Sequence, residues 1–324
     1  MTTDKILFIS PNRIGDSTIA SGVVRELGRQ FPGVPITVVT SGPTAAFFRS
    51  APGVERIIPI NKKKNKSHWP EMWQQVVGTS WRLVVDTRGS TIPFLIRAKE
   101  RRVYSRRFET GQNKVEVITA LLRADHPLEP ELYIDDRARA EAAAVIDPQL
   151  ATPPGQPRPP IIALAPIAVQ PGKSWPADRW GQLVERLKAE PRFDGWRFMA
   201  VGGPGDDAPS APALAAAGPR GIDFVGKGDI LASAAAIQSA TLFVGNDSGL
   251  MHVSAAAGTP TLGLFGPTQW WLYGPRGPRT RTLAANREIN KYAPIEDLSV
   301  DQVFEAVLDL HDAYVGQASG DGAA

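Results

Sequence analysis

The sequence predicts an α/β protein of two doubly wound domains in tandem, each a mostly parallel sheet with helices on both faces. Three observations carry this reading. Short continuous apolar runs alternate with longer amphipathic segments, and apolar runs without polar alternation mark strands covered on both faces. The alternation stops at a proline-dense stretch, DPQLATPPGQPRPP (Asp147–Pro160), and then restarts. The chain has 324 residues, about two domains at roughly 100–200 residues each.

In the first half, KILFIS (Lys5–Ser10), ITVVT (Ile36–Thr40), RIIPI (Arg56–Ile60) and RLVVDT (Arg82–Thr87) read as strands. DSTIASGVVRELGRQF (Asp16–Phe31) reads as one helix with an apolar face at Ile19, Val23 and Leu27. IDDRARAEAAAVI (Ile134–Ile146) reads as the helix closing this half. Proline has no N–H and a fixed φ, so Asp147–Pro160 is expected to be a semi-rigid linker. The first domain is therefore expected over 1–155 and the second over 156–296. The strands of the second are IIALAPI (Ile161–Ile167), WRFMAVGG (Trp196–Gly203), IDFVG (Ile222–Gly226), TLFVGND (Thr241–Asp247) and PTLGLFG (Pro260–Gly266). Helices are expected at Ala177–Glu190 and Ile230–Ala240. A last amphipathic helix, Ser299–Val315, occupies a segment set apart as 297–315, and the tail 316–324 reads as disordered.

Composition narrows the function. Apolar residues make up 43% and charged residues 21%, enough apolar material for two cores. With no cysteine there is no disulfide framework, thiol nucleophile or Cys-ligated metal. No stretch approaches the roughly 20 apolar residues of a membrane span, and the N-terminus lacks the features of a signal peptide. Net charge is only +3, but positive charge clusters in NKKKNK (Asn61–Lys66) and RAKERRVYSRR (Arg97–Arg107). Such runs are solvated faces or contacts for anionic partners. No nucleic-acid motif accompanies them.

In doubly wound sheets ligands bind beyond the carboxyl ends of strands, at the point where strand order reverses, and with two domains the expected site is a central cleft that they face. After the first strand, PNRIGDS (Pro11–Ser17) sets Gly15 in a turn and Asp16 at a helix start, either as an N-cap or as a carboxylate able to take a proton. No G-x-G-x-x-G follows that strand, and no acidic residue ends the next, so a nicotinamide dinucleotide site is not expected. In the second half, Lys173 lies in a glycine-containing loop ahead of a helix that Pro176 can start, placed to meet a diphosphate. Trp175 and Trp180 read as packing residues that hold this loop. Gly202 and Gly203 allow close backbone approach, and Asp206 and Asp207 after them suit either a turn or sugar hydroxyls. In GNDSGLMH, the backbone N–H groups of Ser248, Gly249 and Leu250 open a helix and can bind phosphate. Asp247 is expected to turn away from that phosphate, toward sugar hydroxyls or a nearby cation. His252 lies on the helical face of Gly249. No metal-ligand spacing, P-loop or G-x-S-x-G occurs.

ILFISPNRIGDSTIASGVVREL, NKVEVITALL, GKSWPADRW and GNDSGLMHVSAAAGTPTLGLFGPT together resemble glycosyltransferase family 9, the ADP-heptose:lipopolysaccharide heptosyltransferases. The resemblance implies a GT-B fold of two Rossmann-like domains. It implies metal-independent inverting transfer from ADP-heptose, or a related nucleotide sugar, to the lipopolysaccharide inner core, with no cofactor. Asp16 would be the general base, and Lys173 would contact the diphosphate. Ser248, Gly249 and Leu250 would bind phosphate, with Asp247 and His252 close by and a further acidic donor contact at Asp206 or Asp207. The resemblance also implies that the last helix crosses back onto the first domain. Arg13, Lys62, Lys63, Lys64, Arg97 and Arg101 become candidates for meeting an acceptor of the Kdo-lipid A type, whose phosphates and carboxylates lie at the inner membrane surface. The protein is then expected in the cytoplasm, peripherally on the inner face of that membrane. The alternatives are a transferase using another nucleotide sugar for a different glycan or protein, and a non-catalytic nucleotide-sugar-binding module.

Overall fold

The computed structural model describes residues 4–61, 63, 67–108, 113–153 and 155–316. The chain divides into two compact units, Met1–Tyr133 and Ile134–Ala324. The first holds strands β1 (Lys5–Ile9), β2 (Ile36–Ser41), β3 (Val54–Ile60), β4 (Trp81–Asp86) and β5 (Ala98–Val103) in the order β3-β2-β1-β4-β5. The second holds β6 (Ile161–Ala165), β7 (Arg197–Gly202), β8 (Gly221–Val225), β9 (Leu242–Asn246), β10 (Thr261–Phe265) and β11 (Thr280–Ala284) in the order β11-β10-β9-β6-β7-β8. All pairings are parallel. Both sheets are doubly wound, and their order reverses between β1 and β4 and between β6 and β9.

The central strands explain their own composition. Ile6, Leu7, Phe8 and Ile9 are fully buried, as are Leu242, Phe243 and Val244, because helices cover both faces. Each such side chain contributes roughly 1.5–3 kcal/mol by burial. The two strands that the apolar pattern misses, β5 (AKERRV) and β11 (TRTLA), are both sheet edges. An edge strand pairs on one side only and tolerates charge there, so its sequence lacks the apolar run of a central strand.

Three further differences from the sequence reading have local causes. Asp16–Phe31 is not one helix but two, Ile14–Ile19 and Gly22–Gln30. At the break the Ser21 hydroxyl donates to the Thr18 carbonyl and accepts the N–H of Glu131, so an incoming segment replaces the helical continuation. Gly15 lies inside the first of these helices, not in a turn. The helix expected to close the first half instead spans Asp136–Leu150 and belongs to the second unit, where it packs on the Ile230–Gln238 helix and β8. It runs through Pro148 and stops at Ala151 in left-handed geometry (φ 49°). A proline so near the end forfeits one backbone bond without disturbing the turns before it. The compact units therefore separate after Tyr133, ahead of the proline-dense stretch. Finally, the Val300–Tyr314 helix buries Val303, Val307 and Leu310 in the core of the second unit, against the Ala177–Ala189 helix and β9–β11. A capping box between Ser299 and Gln302 starts it. The expected tail lies, from residue 317 onward, outside the described residues.

Gly22 marks where the segment before Tyr133 closes on the first unit. A Cβ there would sit 2.4 Å from the Glu129 carbonyl oxygen, whereas one at Gly28 in the same helix meets nothing within 4 Å. Gly22→Ala should therefore destabilise the protein by about 1–3 kcal/mol in urea denaturation, while Gly28→Ala should be neutral or stabilise it by roughly 0.4–1 kcal/mol.

Candidate functional site

In the first unit the reversal between β1 and β4 opens onto a cavity of about 350 Å³ lined by Pro11, Asn12, Arg13 and Asp16 after β1, Thr87 and Arg88 after β4, Tyr104 after β5, and Lys114, Val117 and Leu121 of the Lys114–Leu122 helix. Asp16 is not a helix cap. It is the third residue of its helix, whose N-cap is Arg13 and makes no side-chain bond. Its carboxylate is therefore presented to the cavity from a first turn, where the helix dipole favours negative charge.

The turn after β4 is tightly tied down. Asp86 is fully buried, and its carboxylate accepts the N–H groups of Arg88 and Ser90 and the Ser90 hydroxyl at 2.6–2.7 Å. The Thr87 hydroxyl donates to the Ile9 carbonyl at the end of β1. Gly89 has φ of 69° and lies so close to Tyr104 that a Cβ would fall 2.8 Å from the Tyr104 carbonyl oxygen, so glycine is needed on both counts. The Arg88 guanidinium stacks over Trp69, 4.8 Å from the ring centroid. Burial holds its pKa below the ordinary arginine value, opposed by the charge of Asp86. Arg88 and Tyr104 escape a motif-based reading of the sequence, and Lys114, though inside the NKVEVITALL motif, is not singled out by it. Arg88 could have been found by position alone, two residues past the end of a strand beside the reversal point.

In the second unit the reversal lies between β6 and β9, and Lys173 and Asp247 come from the loops that follow them. Lys173 Nζ donates to Asp247 Oδ2 at 2.7 Å, with the side chains only 17% and 7% exposed. The Thr268 hydroxyl, after β10, donates to the same oxygen at 2.7 Å. Asn246 fixes the lysine loop, donating to the Pro166 carbonyl and accepting the Trp175 N–H. Trp175 and Trp180 are fully buried and meet edge to face at 5.3 Å, worth about 0.5–1.5 kcal/mol beyond burial. The Trp175 indole also donates to the Leu298 carbonyl. Of the two expected roles of Asp247, the contact is with a nearby cation, Lys173. The Gly249–Ala256 helix has Ser248 as N-cap with no side-chain capping bond, and the Ser248 hydroxyl is itself buried without a partner among the described residues. Gly249 and Leu250 form its half-buried first turn, and His252 is buried one turn in.

Asp206 precedes the Asp207–Ala217 helix and turns its carboxylate back onto the Gly203 N–H at 2.8 Å. Gly202 makes room for this, since a Cβ there would lie 2.9 Å from Asp206 Cβ. Asp207 is exposed on the first turn. The basic candidates separate. Arg13 lines the cavity, and Arg97 is exposed. Lys63 pairs with Glu71 at 2.6 Å, which holds the Glu71 carboxyl below its ordinary range. Arg101 directs its guanidinium to the carbonyls of Pro93, Ile96 and Ala98, bracing its own chain segment. Lys62 and Lys64 lie outside the described residues.

Comparison with known proteins gives a consistent picture. The sequence pattern of glycosyltransferase family 9 (heptosyltransferase) matches residues 103–298. A lipopolysaccharide heptosyltransferase 1 of Pseudomonas aeruginosa is 25% identical over 307 residues, covering 84% of this chain and 81% of its own. A family 9 glycosyltransferase structure from Veillonella parvula superposes with a TM-score of 0.82 at 20% identity, covering 96% of this chain and 98% of that one. The E. coli heptosyltransferase WaaC with ADP superposes with a TM-score of 0.73 at 16% identity, covering 94% and 99%.

The Lys173–Asp247 contact carries a prediction independent of any ligand. Lys173→Met leaves a carboxylate 7% exposed without its cation, and should cost about 1–3 kcal/mol in denaturant unfolding. In a double-mutant cycle with Asp247→Asn the coupling should exceed about 1 kcal/mol. A coupling near zero would show the lysine to be solvated instead.

Proposed function

Because the chain belongs to glycosyltransferase family 9, the heptosyltransferases, we propose that it transfers heptose from ADP-heptose to the lipopolysaccharide inner core by a metal-independent, inverting displacement. The observation that carries the donor side is the part-buried Lys173–Asp247 pair at the β6/β9 reversal, beside a helix start without a side-chain cap. In this reading the donor diphosphate takes the N–H groups of Ser248, Gly249 and Leu250, and Lys173, held by Asp247, meets the charge that develops on the leaving group. His252 stands behind the phosphate-binding turn, and Asp206 or Asp207 meets donor hydroxyls.

The reaction then proceeds in one step. Asp16 accepts the proton of an acceptor hydroxyl. The acceptor oxygen forms its bond to the anomeric carbon from the face opposite the diphosphate, and the bond from that carbon to the diphosphate oxygen breaks. The electron pair leaves on ADP, and configuration inverts. In this reading Lys173 and backbone dipoles are the source of positive charge. The proposed acceptor is lipid-linked, so the protein would work peripherally on the cytoplasmic face of the inner membrane. Among the described residues no helix is long and apolar enough to cross a membrane.

Asp16→Asn should lower transfer by roughly 10²–10⁴-fold while ADP binding measured by calorimetry stays within error; turnover near the wild-type rate would remove Asp16 as the base. Lys173→Ala should weaken ADP binding and turnover together. Excess chelator should leave the rate of product formation, followed by mass spectrometry on heptose-deficient lipopolysaccharide, unchanged. A rate that falls with chelator and returns with a divalent ion would overturn the metal-independent reading.

A further inference from the structure

Within the Asp16 cavity the charges do not balance. Arg13, Arg88 and Lys114 are cationic and Asp16 alone is anionic among its lining residues. Arg88 is the least accommodated of these. Its Nη1 is buried and has no hydrogen-bond partner among the described residues. The carboxylate nearest in sequence, Asp86, is already committed to the N–H groups of Arg88 and Ser90 and to the Ser90 hydroxyl. A partly desolvated guanidinium without a hydrogen-bonded counter-ion is unfavourable, and the face-on contact with Trp69 offsets only part of that. Yet the turn that carries it is fastened at three points: the Asp86 carboxylate, the Thr87 bond to Ile9, and the close approach of Gly89 to Tyr104. The chain thus holds, on a rigid turn, a guanidinium that lines the cavity and has one nitrogen, Nη1, unmatched among the described residues, and a planar guanidinium is suited to recognition of an oxyanion.

We propose that Arg88 binds an anionic group of the acceptor, a sugar carboxylate or a phosphate ester, and thereby sets which hydroxyl is offered to Asp16. The proposal rests on the reading of Asp16 as the base on the acceptor side. Arg88 is then a specificity residue. It contributes nothing to donor binding, and in the free protein it is a liability to stability.

The experiment uses the full chain with Arg88→Gln and Arg88→Lys. Arg88→Gln should raise the acceptor KM roughly ten- to a hundredfold, leave the ADP-heptose KM unchanged, and leave the melting temperature unchanged or higher. Arg88→Lys should recover part of the loss. Acceptor treated with phosphatase and acceptor with its carboxyl groups amidated separate the two anions. On the form lacking the anion that Arg88 binds, wild type should fall to the level of Arg88→Gln and the two should no longer differ. Calorimetric titration of Kdo and of inorganic phosphate, without donor, should show binding of one of them to wild type that Arg88→Gln loses. An unchanged acceptor KM in a folded variant overturns the proposal. So does an equal rise in both KM values, or a shift in the acid limb of the pH–rate profile at constant KM, which would make Arg88 a partner of Asp16. If wild type transfers no heptose yet loses Kdo or phosphate binding on Arg88→Gln, the anion site stands and the heptosyltransferase reading falls. If wild type binds neither probe and all arms of the kinetic comparison are flat, the site itself is overturned.

Discussion

Side-by-side pairing of the first and fourth strands of each sheet, β1 with β4 and β6 with β9, is the constraint on which the functional geometry depends. Where these strands lie together, the connections leaving them diverge to opposite faces of the sheet, and the space beyond their carboxyl ends stays open. In the first unit that opening is the cavity of Asp16 and Arg88. In the second it is occupied by the contact between Lys173 and Asp247. The same topology, executed twice with unrelated residues, leaves one opening lined by Asp16 and Arg88 and one filled by an ion pair.

The two openings are stabilised differently. The second is self-compensated: Lys173 has its carboxylate, the carboxylate has Thr268 as well, and Asn246 joins the lysine loop to the end of β6. The helix start at Ser248 is left without a side-chain cap. The first is rigid in backbone but less well matched, since the hydrogen bonds of Asp86 go to the turn and Arg88 Nη1 has no hydrogen-bond partner among the described residues. A protein that keeps a charge in that state gives up stability for binding, a common exchange at functional sites.

How much was readable in advance differs by element. Central strands declared themselves because burial on both faces demands unbroken apolar runs, as in β1 and β9. The edge strands β5 and β11 did not, since an edge carries charge without penalty and AKERRV reads equally well as a basic surface run. The residues after β1, β6 and β9 were legible from their position at strand ends. The division of the chain was not: a proline-dense stretch suggests a boundary, but the Asp136–Leu150 helix goes with the unit whose helix and strand it packs against.

By itself the sequence determined the number of sheets, the parallel class of each, and the short segments in which Asp16, Lys173 and Asp247–Leu250 lie, because these follow from local apolar pattern and from turn chemistry. The tertiary structure alone decided which of the cations have partners. Arg101 is bound to carbonyls of its own segment, Lys173 is paired 74 positions away in the chain, and Arg88 is left with a buried nitrogen unmatched among the described residues. A side chain's counter-charge depends on what the fold brings within about 4 Å, and neither the number of charges nor their spacing along the chain encodes that distance.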